Sequence, residues 1–225
     1  MRVIFLPGMD GSGLMYEALL NLIDGKCSYQ VIALEQSGNQ NYAAQAQLIA
    51  DSLGNEKLVL FAESYSGYLA KLVTNIKPNN IVHIVFAASF ITRPHPLVKI
   101  AAAMPLNQIL RLAPQKILNH MCFANRAGAN AFKLLASSLQ TTSEAVLKER
   151  IRNMANLPMP DDNIDIPCTY IQPSRDFLVS KRAVAKLTAH CSNIEIINLA
   201  GGHFIVQSNP VGCAEVLLTV IERFK

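Results

Sequence analysis

The sequence predicts an α/β fold: a mostly parallel central sheet of about six strands with flanking helices. Three observations predict it. Short β-branched and apolar runs alternate with segments of helical period, the runs are continuously apolar, and 51% of the 225 residues are hydrophobic. Continuous apolar runs are typical of parallel strands buried on both faces. Regular strand–helix repetition indicates the α/β class, and a chain of this length can bury one full core.

The predicted elements follow one another in regular order. The strands are Val3–Leu6, Tyr29–Leu34, Lys57–Ala62, Ile81–Ala88, Ile166–Gln172 and Ile194–Leu199. Helices are predicted between or after them, and Tyr42–Leu53 shows the 3.6-residue apolar spacing of a helix that rests on a sheet. The predicted helices are Leu14–Ile23, Tyr42–Leu53, Tyr65–Ile76, Val179–Ala189 and Val211–Phe224.

Residues 91–165 interrupt this alternation. The segment is rich in proline and shows several short helical patterns but no strand, and it is too long for a simple connection. We therefore expect an all-helical cap over a core formed by residues 1–90 and 166–225. Its best-marked helix is expected to begin at a capping box, Thr141-x-x-Glu144, before an apolar stripe. The stripe consists of Val146, Leu147, Ile151 and Met154.

Composition limits the cellular setting and the cofactors. Five cysteines without a CxxC pair favour reduced thiols in a cytoplasmic protein, and argue against disulfides and a zinc site. No apolar run reaches the 18 residues of a membrane span, and the first apolar residues are too few for a signal peptide. We expect no metal and no other cofactor. The cysteines are Cys27, Cys122, Cys168, Cys191 and Cys213.

Positive charge is concentrated in one segment, although the net charge is only +4. Between Ile91 and Gln140 there are six basic residues and no Asp or Glu. This pattern is compatible with a solvated helical face. It is also compatible with a surface for an anionic partner, such as a phosphate-bearing acyl carrier or an acidic membrane. Nucleic acid is not expected, because no recognition motif accompanies the charge. The basic residues are Arg93, Lys99, Arg111, Lys116, Arg126 and Lys133.

The first chemical motif is a buried strand that runs into a serine and then a helix, Leu58-Val-Leu-Phe-Ala-Glu-Ser64-Tyr-Ser-Gly67. A nucleophile elbow needs small residues two positions before and after the serine, because the turn is tight and strained. Ala62 and Ser66 occupy those positions. The competing interpretation is that Ser64 is only a helix N-cap.

The second motif is a glycine-rich turn after the first strand, from Gly8-Met9-Asp10 to Gly13. Such a turn can point backbone N–H groups into a pocket. In a hydrolase, the amides of Met9 and Tyr65 would bind an oxyanion. Dinucleotide binding is the alternative, with Glu35 placed like a ribose-binding acid, but the glycines run G-x-x-G-x-G rather than G-x-G-x-x-G.

The third motif follows the last strand, where two glycines precede His203. They free the loop to present the imidazole at the carboxyl edge of the sheet, where open α/β sheets bind ligands. Asp176 lies just after the fifth predicted strand and is the carboxylate expected to orient this histidine. The order Ser64, Asp176, His203 is the order of the hydrolase triad.

Together these motifs resemble the α/β-hydrolase superfamily from end to end. Gly8-Met9 is similar to its oxyanion turn, Ser64-Tyr-Ser-Gly67 to its elbow, Asp176-Phe-Leu-Val to its acid loop and Gly202-His203-Phe204 to its histidine loop. Pro7 replaces a usual histidine, and Ala62 and Ser66 replace elbow glycines. The chain starts on what would be the family's third strand, so the N-terminal antiparallel hairpin is expected to be missing.

The resemblance implies a serine hydrolase that cleaves an ester or thioester of a small to medium acyl group. In this scheme Ser64 is the nucleophile, His203 its base and Asp176 the orienting acid. The apolar cap suggests an acyl pocket, and its basic residues favour acyl groups carried on coenzyme A or a carrier protein. An acyltransferase, another triad enzyme or a non-catalytic ligand-binding protein remain alternatives, because the fold hosts all of these.

Overall fold

The computed structural model describes residues 1–104 and 112–224, so Arg111 of the basic segment lies outside the described residues. One six-stranded sheet has the order β2-β1-β3-β4-β5-β6, and every neighbouring pair is parallel. The predicted α/β class and mostly parallel sheet are confirmed. The strands are β1 (Arg2–Leu6), β2 (Ser28–Val31), β3 (Leu58–Glu63), β4 (Ile81–Ala87), β5 (Cys168–Pro173) and β6 (Ile194–Leu199).

Helices cover both faces of the sheet. Along β1, Ile4 and Leu6 pack into one core, while Val3 and Phe5 pack into the other, as the two-residue period of a strand requires. The helices on these faces are α1 (Glu17–Ile23, after a 3-10 turn at Leu14–Tyr16), α2 (Tyr42–Ser52), α3 (Ser66–Ile76), α8 (Lys181–Ala189), α9 (Ile205–Ser208) and α10 (Pro210–Glu222). The first core includes α2, α3 and α8, and the second includes α1, α9 and α10.

Two details of the predicted strands were wrong. β2 ends at Val31 rather than Leu34, because β1 ends before Pro7, which has no N–H to continue a ladder. The chain then turns towards the glycine-rich loop, where the Leu34 amide donates to the Gly11 carbonyl at 2.8 Å. In addition, β2 and β6 are the two edge strands and both are partly exposed, so they are not buried on both faces.

Where it is described, the segment between β4 and β5 contains the helices α4 (Val98–Ala101), α5 (Gln115–Phe123), α6 (Ala131–Thr141) and α7 (Glu144–Ala155), and Ile164 forms an isolated parallel bridge with Cys191. The predicted capping box was wrong. Thr141 ends α6, where its hydroxyl donates to the Ser138 carbonyl. Ser143 instead caps α7 and accepts from the Val146 amide at 3.2 Å. The apolar stripe of α7 is buried as expected.

Part of this helical segment has a small core of its own. It joins α5, α6 and α7 through Phe123, Leu135 and Leu147, with Met15 of the 3-10 turn. The division into a core and a cap at residues 91–165 stays a prediction. Within the described ranges, no helix is both long and apolar enough to cross a membrane.

Candidate active site

Ser64 lies in a strained turn between β3 and α3. Its φ of 49° is in the left-handed region that non-glycine residues rarely adopt. Its amide donates to the Ala87 carbonyl of β4 at 3.0 Å, and α3 begins two residues later. Ser64 therefore is not the N-cap of α3, since Tyr65 occupies that position without a side-chain cap. The turn has the geometry that a nucleophile elbow requires.

Close packing explains the small residues around this turn. A Cβ on Gly67 would lie 2.6 Å from the Phe90 carbonyl oxygen, so no larger residue fits there without a shift of the backbone. Ser66 is fully buried and its hydroxyl donates to the Pro7 carbonyl. The serine that replaces an elbow glycine thus ties the start of α3 to the glycine-rich turn.

The structure brings Ser64, His203 and Asp176 together, although they are far apart in the chain. The Ser64 Oγ and the His203 Nε2 are 2.8 Å apart. The His203 Nδ1 lies 3.0 Å and 3.2 Å from the two carboxylate oxygens of Asp176. This chain of contacts leaves the imidazole able to accept a proton on Nε2 while Nδ1–H donates to the carboxylate.

Two loops hold the acid and the histidine. The Asp176 Oδ1 accepts hydrogen bonds from the amides of Leu178 (2.8 Å) and Val179 (2.9 Å), which fix the carboxylate. In the histidine loop, a Cβ on Gly202 would lie 2.5 Å from the Cys122 carbonyl oxygen. Glycine is required there because the loop packs directly on the end of α5.

Electrostatics couple the imidazole and the carboxylate. Burial of the His203 ring opposes its protonation, but the charge and hydrogen bond of Asp176 outweigh burial and raise the pKa of His203. Burial also acts to raise the pKa of Asp176, yet the neighbouring imidazole and the two backbone amides outweigh it and lower that pKa. Asp176 is therefore poised to stay ionised and to stabilise an imidazolium.

The glycine-rich turn from Pro7 to Asp10 has all four of its carbonyls engaged. The Pro7 carbonyl accepts from Ser66, and the Gly8 carbonyl accepts from the Gly11 amide at 3.0 Å. The Asp10 carbonyl accepts from the Thr142 hydroxyl at 2.5 Å. Such engagement fixes the peptide planes that carry the amide of Met9, the predicted oxyanion donor.

The Met9 carbonyl is held by Arg150 of α7, a residue that sequence reasoning missed. The Arg150 side chain is fully buried and donates to the carbonyls of Met9 (2.8 Å) and Glu35 (2.7 Å) and to the Gln40 side chain (3.0 Å). All three acceptors are neutral oxygens, so the planar guanidinium of Arg150 holds these groups in position and forms no ion pair with them. A Cβ on Gly11 would lie 2.6 Å from this guanidinium, which therefore covers the turn where a dinucleotide was the alternative.

Comparison with solved structures identifies the architecture. An esterase from Exiguobacterium antarcticum superposes with a TM-score of 0.82 at 14% identity, over 99% of this chain and 92% of that one. A hydrolase from Oleispira antarctica gives 0.80 at 13% identity, over 98% and 90%. An α/β-hydrolase fold protein from Chitinophaga pinensis gives 0.73 at 15% identity, over 100% and 88%. The chain has the α/β-hydrolase fold. No protein-family model and no curated protein sequence matches the chain.

Within this α/β-hydrolase fold, Glu63 is a second residue that sequence reasoning missed. It immediately precedes Ser64, is 2% exposed, and its Oε1 has no hydrogen-bond partner among the described residues. Burial and the charge of Asp10 raise its pKa to about 8. Its sequence signal was weak, because the position before an elbow serine shows no periodic or chemical pattern. Arg150 likewise looked like one more charge on an amphipathic helix.

Proposed function

We propose that the chain is a serine hydrolase that cleaves an ester or thioester of a small to medium acyl group through an acyl-enzyme on Ser64. The observation that carries the proposal is a chain of two contacts. The Ser64 Oγ contacts the His203 Nε2, and the His203 Nδ1 contacts the Asp176 carboxylate, with Ser64 in a strained elbow. Esterases and hydrolases among the solved structures of similar fold support the same reaction class.

The proposed reaction has two halves. His203 accepts the Ser64 proton on Nε2 as Oγ attacks the acyl carbonyl, since an isolated serine is a poor nucleophile. The tetrahedral intermediate collapses to the acyl-enzyme, and the imidazolium gives its proton to the departing alcohol or thiol. Water then attacks the acyl-enzyme with His203 again as base, which releases the acid and restores Ser64. Asp176 holds the imidazole tautomer throughout.

The amides of Met9 and Tyr65 are the proposed donors to the oxyanion. Tyr65 is fully buried and stacks on Tyr42 with ring centroids 4.6 Å apart, which anchors the start of α3. The Met9 side depends on the bonded carbonyls of its turn, including the bond from Arg150. Arg150 is thus a positioning residue in this scheme. One oxyanion donor is typically worth about 3–4 kcal/mol of transition-state stabilisation.

The helical segment is the proposed source of substrate selectivity. Met9 packs against both the sheet core and the small core of the helical segment, so the proposed oxyanion turn borders apolar side chains. An acyl group of small to medium size is the substrate class that such a border favours. Thiol leaving groups that carry phosphate, as in acyl-coenzyme A or an acyl carrier protein, belong to the same proposal.

The deciding experiment replaces the nucleophile. Ser64→Ala should reduce hydrolysis of p-nitrophenyl butyrate to the buffer rate and abolish labelling by a fluorophosphonate probe, because no oxygen remains to be acylated. Ser37→Ala is the matched control, since Ser37 is exposed, and it should keep parental activity and labelling. Substantial turnover or labelling in a correctly folded Ser64→Ala protein would contradict the proposal.

A further inference from the structure

A surface cavity of about 520 Å³ lies beside the acid loop. Three segments form it: the chain just after β4 (Thr92–Pro96), the chain just after α7 (Leu157 and Met159), and the start of α8. The Ser180 amide donates to the Pro94 carbonyl at 2.9 Å and joins two of these walls. The same loop carries Asp176, whose carboxylate accepts from the Val179 amide. The cavity and the proposed catalytic acid therefore share one loop.

The ionisable side chains that line this cavity are all basic. Arg93, His95, Arg182 and Lys186 line it, and no Asp or Glu does so among the described lining residues. None of these four pairs with a carboxylate in the part of the chain that the structure describes. Basic side chains that line one cavity without carboxylate partners favour an anionic ligand, and two arginines suit phosphate because each offers a planar set of donors.

Hydroxyl groups and the N-terminus of a helix are further features of the cavity that suit an anion. Thr92 is 3% exposed and its hydroxyl has no hydrogen-bond partner among the described residues. Ser180 caps α8, a nine-residue helix whose N-terminal turn reaches the cavity through Arg182 and Ala183. A helix N-terminus carries a partial positive charge and favours phosphate. Leu157 and Ala183 supply apolar wall, which would suit the body of an organic phosphate.

We infer that this cavity is a phosphate-binding site, and that the phosphate belongs to the leaving group of the substrate. This assignment deepens the proposed function and rests on it, because the phosphate-bearing thiol would be the group that leaves when Ser64 is acylated. Of the six basic residues that the sequence grouped together, Arg93 lines the cavity, whereas the described Lys99, Lys116, Arg126 and Lys133 do not. The other basic lining residues are His95 and two residues of α8, which lies after β5 in the chain.

Binding is tested first with inorganic phosphate, which requires no turnover. We expect saturable binding by isothermal titration calorimetry, measured at constant ionic strength against chloride. The double variant Arg93→Gln/Arg182→Gln should weaken it about 10-fold or more, because charge-assisted hydrogen bonds are lost. Arg126→Gln, an exposed arginine elsewhere, should bind like the parent. Absence of saturable binding, or equal binding by the double variant, would overturn the site.

The source of the phosphate is tested by kinetics. If the substrate carries it, the double variant should raise KM for butyryl-coenzyme A about 10-fold and leave KM unchanged for S-butyryl-N-acetylcysteamine, which has no phosphate. An unchanged KM for both thioesters would overturn the leaving-group assignment and identify a site for free phosphate. If the parent protein hydrolysed neither thioester, the proposed function would be defeated, and the calorimetric result alone would test the site.

Discussion

The two sides of the candidate site are held in different ways. On the side of the proposed triad, called the triad side, Ser64, Asp176 and His203 each follow the end of a strand by a few residues, so short turns position them. On the side of the proposed oxyanion donors, called the oxyanion side, the turn from Pro7 to Asp10 is fixed by side chains that come from distant parts of the chain. Ser66, Thr142 and Arg150 contact it across 59, 132 and 141 residues.

The two sides therefore depend on different steps in the assembly of the fold. Parallel strands end at one edge of a sheet, so three strand ends bring three side chains together as soon as the sheet forms. The oxyanion side is complete only when α7 of the helical segment docks on the core, because Arg150 reaches the Met9 carbonyl from there. Substitutions on the triad side should thus change activity alone, whereas substitutions on the other side should change activity and stability together.

The largest effect is expected from Asp176→Asn. Asparagine keeps an oxygen acceptor for the amides of Leu178 and Val179 but supports the wrong imidazole tautomer. We expect kcat for p-nitrophenyl butyrate to fall about 10,000-fold, and the free energy of unfolding to change by less than about 1 kcal/mol. Asp161→Asn, an exposed carboxylate, is the control in both measurements. A fall of less than tenfold in kcat would contradict the proposed role of Asp176 in orienting His203.

Glu63 lies where the two sides meet, and its titration should govern stability at mild pH. Its folded pKa is raised to about 8, so the folded protein keeps a proton that the unfolded chain loses above about pH 4.5. The free energy of unfolding should therefore fall as pH rises from 4.5 to 8, by on the order of 5 kcal/mol. Urea unfolding at several pH values measures this dependence.

Glu63→Gln should remove most of this pH dependence, because glutamine cannot ionise. The variant should be more stable than the parent at pH 8 and comparable to it near pH 4.5. Glu195→Gln, an exposed glutamate on β6, should keep the parental slope. Equal slopes for the parent and Glu63→Gln would show that Glu63 ionises freely in the folded protein.

Arg150→Met should weaken both stability and turnover. Loss of its charge-assisted hydrogen bonds leaves buried carbonyls without donors, at a cost of about 3 kcal/mol in unfolding free energy. We expect kcat to fall about tenfold with little change in KM, because the Met9 amide would contact the oxyanion only in the transition state. Arg150→Lys should recover part of kcat.

The matched control is Arg152→Met on the exposed side of the same helix, which should behave like the parent. Parental stability in Arg150→Met would mean that α7 is not held by this residue. A normal kcat with reduced stability would confine Arg150 to a structural role and remove it from the oxyanion side.

The smallest effect tests where α7 begins. Ser143→Ala should cost about 1 kcal/mol of unfolding free energy, because the Val146 amide loses its cap. Thr141→Ala should cost less than about 0.5 kcal/mol, because Thr141 only bonds back to the turn before it. Chemical unfolding of the two variants side by side measures both changes. A larger loss of unfolding free energy for Thr141→Ala would support Thr141 as the cap of α7, as the sequence predicted.

Local patterns predicted the fold well. β6 was predicted with the bounds that the structure has, and the other strands overlap their predictions, because apolar runs and glycine or proline breaks are written in adjacent residues. The capping box failed because Thr141 and Ser143 are both competent caps, and only the end of α6 at Thr141 decides between them. The half-exposed β6 could not be predicted either, since edge position depends on sheet order.

The sequence by itself determined the α/β class, the succession of strands and helices along the chain and, within one or two residues, where most strands end, because these depend on neighbouring residues. Tertiary structure alone decided the 2.8 Å contact of Ser64 with His203, the burial of Arg150 and the raised pKa of Glu63. It also decided the grouping of Arg93 with Arg182 and Lys186 around one cavity. Each of these depends on distances between segments that no local pattern encodes, since burial and charge act through space rather than along the chain.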